Sequence, residues 1–158
     1  MRDLQFYQIP LEGITLERID PTKKEHKKAI SKMRDNQARK MMYDVKQLLN
    51  NAKKDRESGN SYLLKSSEKY IGCIWISNLH DDQRGISMMI EKSMRNQGFG
   101  RIILNSVSEY LFRENLAASL FVYIKDKNKN SIHMAKSCGF AESGKLNNTS
   151  TTMYERKK

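Results

Sequence analysis

Cysteine is scarce in this chain: the 158 residues hold two, Cys73 and Cys138. That is too few for the disulfide framework of a small secreted domain, so both thiols are expected to be reduced and partly buried. Long apolar runs are missing too. Nothing approaches the roughly 20 consecutive apolar residues that span a bilayer. The opening MRDLQFYQIP has no apolar signal-peptide core, so the expected location is cytoplasmic, with no membrane partner. No internal repeat is visible. The three histidines and two cysteines are too scattered to read as a ligand set, and no metal site is expected.

Acidic residues are the other shortage. Eighteen Asp and Glu face 29 Lys and Arg, a net charge of +11. The excess is uneven: Thr22 to Arg56 carries twelve basic and four acidic residues, which is +8 of the total. A basic surface draws anions, nucleic acid among them; solvated helix faces would give the same composition. The length suits a single domain covering residues 1–158.

What is present begins with alternation. Ile14 to Ile19 reads as a strand. Asp20-Pro21, or a Thr22-x-x-Glu25 capping box, starts a helix to about Arg34 with Ala29, Ile30 and Met33 inward. A second helix is expected over Ala38 to Ala52, where apolar residues recur at helical spacing, and Ser58-Gly59-Asn60 is its exit turn. Ser61–Lys65 and Tyr70–Ser77 read as a hairpin, and Asn78 to Gly85 as a polar loop into the strand Ile86–Ile90. Leu120–Ile124 is a buried strand, Asn128 to Cys138 a helix, and Phe140–Ser143 with Thr151–Arg156 a closing antiparallel pair. The order β α α β β β α β α β β predicts a mixed α/β fold: a mostly antiparallel sheet of about six or seven strands flanked by about four helices.

One stretch organises the rest. The strand Ile86–Ile90 leads through Glu91–Met94 into Arg95-Asn96-Gln97-Gly98-Phe99-Gly100-Arg101. A helix follows, with Phe99, Ile103, Val107, Tyr110 and Leu111 on one stripe. The first turn of a helix has unpartnered N–H groups and the positive end of the macrodipole. Glycines let a ligand approach that backbone, and two arginines add charge, so the turn is suited to a phosphate or pyrophosphate. Three neighbouring patterns fail. A dinucleotide fingerprint needs a third glycine where Ile103 stands. Gly139 to Lys145 resembles a P-loop, but Leu146 replaces the hydroxyl residue and no apolar helix follows. Asp126-x-Asn128-x-Asn130 begins like a calcium loop, but Ser131 and Ser137 replace its glycine and glutamate.

Arg95-x-x-Gly98-x-Gly100 between strand and helix resembles the pyrophosphate loop, Q/R-x-x-G-x-G/A, of the GNAT superfamily of N-acetyltransferases. The run from Asn128 through the helix to Gly139-Phe140 is similar to that family's second motif. The resemblance covers roughly Ile14 to Phe140. It implies the GNAT fold and acetyl-CoA as co-substrate. The implied activity is transfer of the acetyl group to a primary amine by direct attack on the thioester. By position, it implies that Met88 and Ile90 offer backbone to the pantetheine arm, with the Ile90 N–H as oxyanion donor. Arg95, Asn96, Gln97, Gly98, Phe99, Gly100 and Arg101 would hold the pyrophosphate, Asn128 the arm, and Ser131 or water would serve the leaving thiolate. The family's usual tyrosine acid is replaced by Ala135, so no catalytic acid is assigned. Glu91, Asp81, Asp82 and His80 are candidate bases by location only. His133 faces away from the Asn128–Ser131–Ala135 stripe and is set aside. The acceptor is left open, with the basic first helices favouring an anionic or nucleic-acid-linked amine; a homodimer is also left open. The alternative is a non-catalytic domain that senses acyl-CoA or binds RNA.

Overall fold

The computed structural model describes residues 13–33 and 59–158. The expected second helix, Ala38 to Ala52, lies outside them. The elements are β1 (Ile14–Arg18), α1 (Lys24–Lys32), β2 (Gly59–Ser66), β3 (Lys69–His80), β4 (Gln83–Ile90), α2 (Phe99–Arg113), β5 (Ser119–Lys125), α3 (Lys129–Ser137), β6 (Ala141–Lys145) and β7 (Thr151–Lys157), with one 3₁₀ turn over Lys92–Met94. Three α-helices therefore stand among the described residues, against about four expected for the whole chain.

The seven strands form one sheet in the order β1-β2-β3-β4-β5-β7-β6. Every neighbouring pair is antiparallel except β4 and β5. The interior strand β3 explains its own position: Ile71, Cys73, Ile74 and Ile76 are all buried, so apolar residues fall on both of its faces and each face needs a cover. On one face Ile74, Ile76, Ile86 and Val122 pack under α2 and its stripe of Ile103, Val107 and Leu111. Burying each such side chain is worth about 1.5–3 kcal/mol. On the other face Leu63, Cys73 and Met89 pack with Ala29, Ile30 and Met33 of the α1 segment.

Three expectations are corrected. Neither Asp20 nor Thr22 caps α1, whose N-cap is Lys23 without a side-chain bond. Asp20 instead accepts the Thr22 N–H at 2.9 Å and the Thr22 hydroxyl at 2.6 Å, closing the turn before the helix. Gly59 and Asn60 are not a turn but the start of β2. Asn78 to Gly85 is not a loop: β3 runs on to His80 and β4 starts at Gln83, joined by Asp81-Asp82 with Asp81 at φ 30°. A protruding hairpin is held by main-chain pairing, so its polar side chains do not end it.

Candidate functional site

The junction between β4 and β5 is where the sheet opens. Their parallel pairing covers only Gln83–Gly85 against Ser119–Phe121. Beyond it, Ile86–Ile90 and Val122–Lys125 have no pairing with each other, while β3 and β7 pair with the outer edges of both strands. The Glu91 N–H donates to the Ile71 carbonyl at 2.8 Å, across to β3. Strand alternation therefore turns Met89 toward β3, and the main chain of Met88 and Ile90 toward the open seam. The Ile90 carbonyl is already occupied, accepting from Arg95 Nε at 2.9 Å.

At the wide end of the seam stands the start of α2. Its N-cap, Gly98, sits in the left-handed region at φ 82°, and no side chain caps the helix. Asn96, two residues earlier, is also left-handed at φ 60°. Alternating backbone handedness turns successive N–H groups to one side and forms an anion-binding concavity. A Cβ at Gly98 would meet nothing within 4 Å, so that side of the turn is open to a ligand. A Cβ at Gly100 would lie 2.9 Å from Met134 Sδ and 3.7 Å from Met88 Cε. The helix start thus approaches the residues of the seam closely enough that only glycine fits undisturbed.

The cleft here has a volume of about 570 Å³ and gathers most of the expected residues: Met88, Ile90, Arg95, Asn96, Gly98, Gly100, Arg101, Asn128 and Ser131 all line it. Two expected residues do not. Gln97 folds back, donating through Nε2 to the Ser93 carbonyl at 2.9 Å. Phe99 turns to the core under α2. Against the expectation, His133 lines the cleft, with Asn130, Met134 and Ser137 beside it. Spacing carries their signal: 130, 133, 134 and 137 form a helical stripe of their own, which borders the Asn128–Ser131–Ala135 stripe only where Met134 stands next to Ser131. Asn128 caps α3, its Oδ1 accepting the Ser131 N–H at 3.4 Å.

A second, smaller pocket of about 250 Å³ continues the cleft toward the closed end of the seam. Met88, Asn128, Ser131 and Met134 line both, so the two spaces adjoin. Ala135 lies in the wall of the second pocket.

The candidate bases fare differently. His80, Asp81 and Asp82 sit at the β3–β4 turn, the length of β4 away from Ile90, roughly 25 Å at about 3.3 Å per residue. They do not line either space. Glu91 accepts from the Ser93 hydroxyl and faces Lys69 at 4.0 Å. The hydrogen bond from Ser93 holds its carboxyl below the usual range. The thiols are quiet: burial pushes Cys73 up to about 12 and Cys138 upward as well, so neither offers thiolate near neutral pH. Asp126, the first residue of the apparent calcium loop, is bound instead to Lys145 Nζ at 2.8 Å and to the Thr152 hydroxyl at 2.5 Å.

One polar cluster was not foreseen. His26 is fully buried, and its Nδ1 accepts the Asp20 N–H at 2.9 Å. Nε2 therefore carries the proton and donates to Glu17 Oε1 at 2.8 Å, which also accepts from the Tyr70 hydroxyl at 3.1 Å. Partial burial opposes ionisation of Glu17, but the bonds from His26 and Tyr70 outweigh it and lower its pKa. Burial and then the Glu17 charge push Tyr70 up to about 12. Among the described residues, Glu17, Glu25 and His26 form the one group with ligand atoms within 4.8 Å of one another. Both His26 ring nitrogens are committed to protein partners, so the cluster reads as a strut between α1 and β1.

Comparison with known proteins bears on this geometry. Residues 26–140 match the family model described as Acetyltransferase (GNAT) family. No curated protein sequence matches the chain significantly. Among solved structures, the chain is similar to an acetyl transferase from Salmonella typhimurium described as modifying the N-terminal serine of the 50S ribosomal subunit protein L7/L12. The TM-score is 0.76 and the identity 16%, over 95% of this chain and 98% of that one. A RimL ribosomal L7/L12 α-N-protein acetyltransferase in complex with coenzyme A gives 0.73 and 14%, over 94% and 97%. A variant of the spermidine N-acetyltransferase SpeG from Vibrio cholerae gives 0.73 and 16%, over 92% and 94%. At these identities the likeness is one of fold.

Proposed function

The chain belongs to the acetyltransferase (GNAT) family, an acyl-CoA-dependent enzyme family, and from that premise we propose that it transfers an acetyl group from acetyl-CoA to a primary amine by direct attack. The observation that carries this reading is the open β4–β5 seam ending at the uncapped start of α2. The residues suit the co-substrate. The open side of Gly98 and the charges of Arg95 and Arg101 match a diphosphate. The main chain of Met88 and the N–H of Ile90, which face the seam and do not pair with β5, match the amides of a pantetheine arm, which would add to β4 as an extra strand.

The amine nitrogen attacks the thioester carbonyl carbon; the C–N bond forms, the C–S bond breaks, and the electron pair leaves on sulfur. The Ile90 N–H, facing the seam, is the oxyanion donor in this reading. An alkylammonium must first lose a proton, at a cost of about 4–5 kcal/mol near pH 7 for a pKa near 10.4. None of the four candidate carboxylates and imidazoles lines the pockets, so none of them is assigned as the base. The thiolate, with a pKa near 8.5, leaves without a strong acid; the proton that the nitrogen sheds as the amide forms reaches the sulfur through Ser131, in the wall of both spaces, or through water.

Charge supports one class of acceptor. Lys23, Lys24, Lys27, Lys28 and Lys32 are all exposed on or beside α1, which favours an amine carried on an anionic or nucleic-acid-linked molecule. The test measures free-thiol release from acetyl-CoA over amino acids, polyamines, peptides and aminoacyl-tRNA, with coenzyme A binding followed by calorimetry. Thiol release with an acceptor whose affinity falls steeply with salt is the expected result. Salt-insensitive turnover of a small neutral amine overturns the acceptor class. Binding of coenzyme A without thiol release on any acceptor favours a non-catalytic sensor, a reading motivated by Ala135.

A further inference from the structure

The smaller pocket offers more room than an acetyl group uses, and we propose that this enzyme accepts longer, uncharged, straight acyl chains of about three to six carbons. The inference rests on the acyl-CoA reading above. About 10–15 Å³ of such space admits one water-sized group, whereas this pocket holds about 250 Å³. It lies at the closed end of the seam, past the Ile90 N–H and beside the point where Gly85 and Phe121 rejoin β4 to β5. An arm entering from Gly98 along β4 delivers its acyl end there.

The chemistry of the walls identifies what fits. Ile86, Leu104, Val122 and Ala135 line the pocket while being only 4%, 2%, 6% and 0% exposed. Leu104 and Ala135 come from α2 and α3, so this apolar floor lies on the side of the sheet away from α1. Strand alternation puts Ser87, Tyr123 and Lys125 on the opposite rim, facing the α1 side. The polar amine then has a polar approach, and the acyl chain an apolar end. Ala135 stands where the resemblance implies a tyrosine; its small side chain is fully covered and closes the floor of the pocket without projecting into it. A carboxylated chain would bring a charge against the apolar floor, and Lys125 on the rim is engaged within the protein. The transfer balances as for acetyl: the C–S bond breaks, the C–N bond forms, and the alkyl chain is carried unchanged.

The experiment is a chain-length series on the wild-type protein with acetyl-, propionyl-, butyryl-, hexanoyl- and succinyl-CoA. Affinity is read by calorimetry, and transfer by thiol release with the amine panel. Affinity should rise about fourfold per added methylene until the pocket fills, with succinyl-CoA falling below butyryl-CoA. Ala135→Leu and, independently, Val122→Phe should cut the butyryl-to-acetyl ratio about tenfold or more. Affinity that is flat or falling from acetyl to butyryl overturns the proposal, as does a folded variant whose profile matches wild type. Should both variants fail to fold, the wild-type series decides. Acetyl transfer with longer chains rejected sinks this inference alone; failure of every acyl-CoA to bind sinks the acyltransferase reading and this inference with it.

Discussion

Strand β4 has two edges, and they are used differently. Toward β3 it pairs from Gln83 against His80 to Ile90 against Gly72. Toward β5 it pairs over three residues and then parts. The paired edge spends its main-chain donors and acceptors on register. The parted edge leaves most of them unpaired with β5, and its stability has to come from side chains packed beneath it. Breaking the two edges should therefore give different symptoms: lost stability on one side, lost affinity on the other.

The largest effect is expected on the paired side. Ile74→Ala removes a fully buried side chain from the centre of the sheet. It should cost about 2–5 kcal/mol of stability in denaturant unfolding, with coenzyme A affinity near normal in whatever remains folded. Next is Gly98→Glu, which puts a carboxylate where a diphosphate is expected. It should weaken coenzyme A binding by about 100-fold or more in calorimetry, since like-charge contact costs several kcal/mol. Gly98→Ala separates charge from backbone, because a side chain at φ 82° costs only about 1–2 kcal/mol. Equal affinity for the glutamate variant and wild type would remove the seam's significance.

Asn128→Ala sharpens the comparison from the other bank of the seam. Loss of the α3 cap should cost about 1 kcal/mol of stability and raise the KM for acetyl-CoA as well. A change in thermal midpoint with no change in KM would leave Asn128 a cap alone. The smallest effect is expected far from the seam, at Glu17. Its folded pKa is depressed, so its contribution is present above the ordinary value of 4.5 and is lost as pH falls below that. The carboxylate is about a third exposed, so solvent screening keeps the contribution below about 1 kcal/mol. Glu17→Gln should flatten wild type's loss of stability just below pH 4.5, as read in urea titrations at several pH values. Identical pH profiles would deny the strut a role.

Much of this arrangement was legible residue by residue. Val107 and Leu111 announced α2 because helical spacing and burial agree there. The pair Gly98 and Gly100 announced a close approach because glycine between a strand and an apolar helix has little other use. Other features were hidden for physical reasons. The polar run Asn78 to Arg84 concealed a continuing hairpin, since main-chain pairing needs no apolar side chains at a tip. His133 was set aside because spacing gives the stripes of a helix but not the arc that meets a cleft. Glu17, His26 and Tyr70 are separated by up to 53 positions, and only strand pairing brings them together.

By itself the sequence determined most of the described elements, their order, and a glycine-containing turn at the start of α2, because those depend on local propensity, periodicity and backbone freedom. The tertiary structure alone decided that β4 and β5 part after Gly85, which stripes of α3 face the resulting cleft, and that an apolar pocket lies behind Ala135. Those depend on how packed elements leave space between them, and no stretch of chain encodes a space.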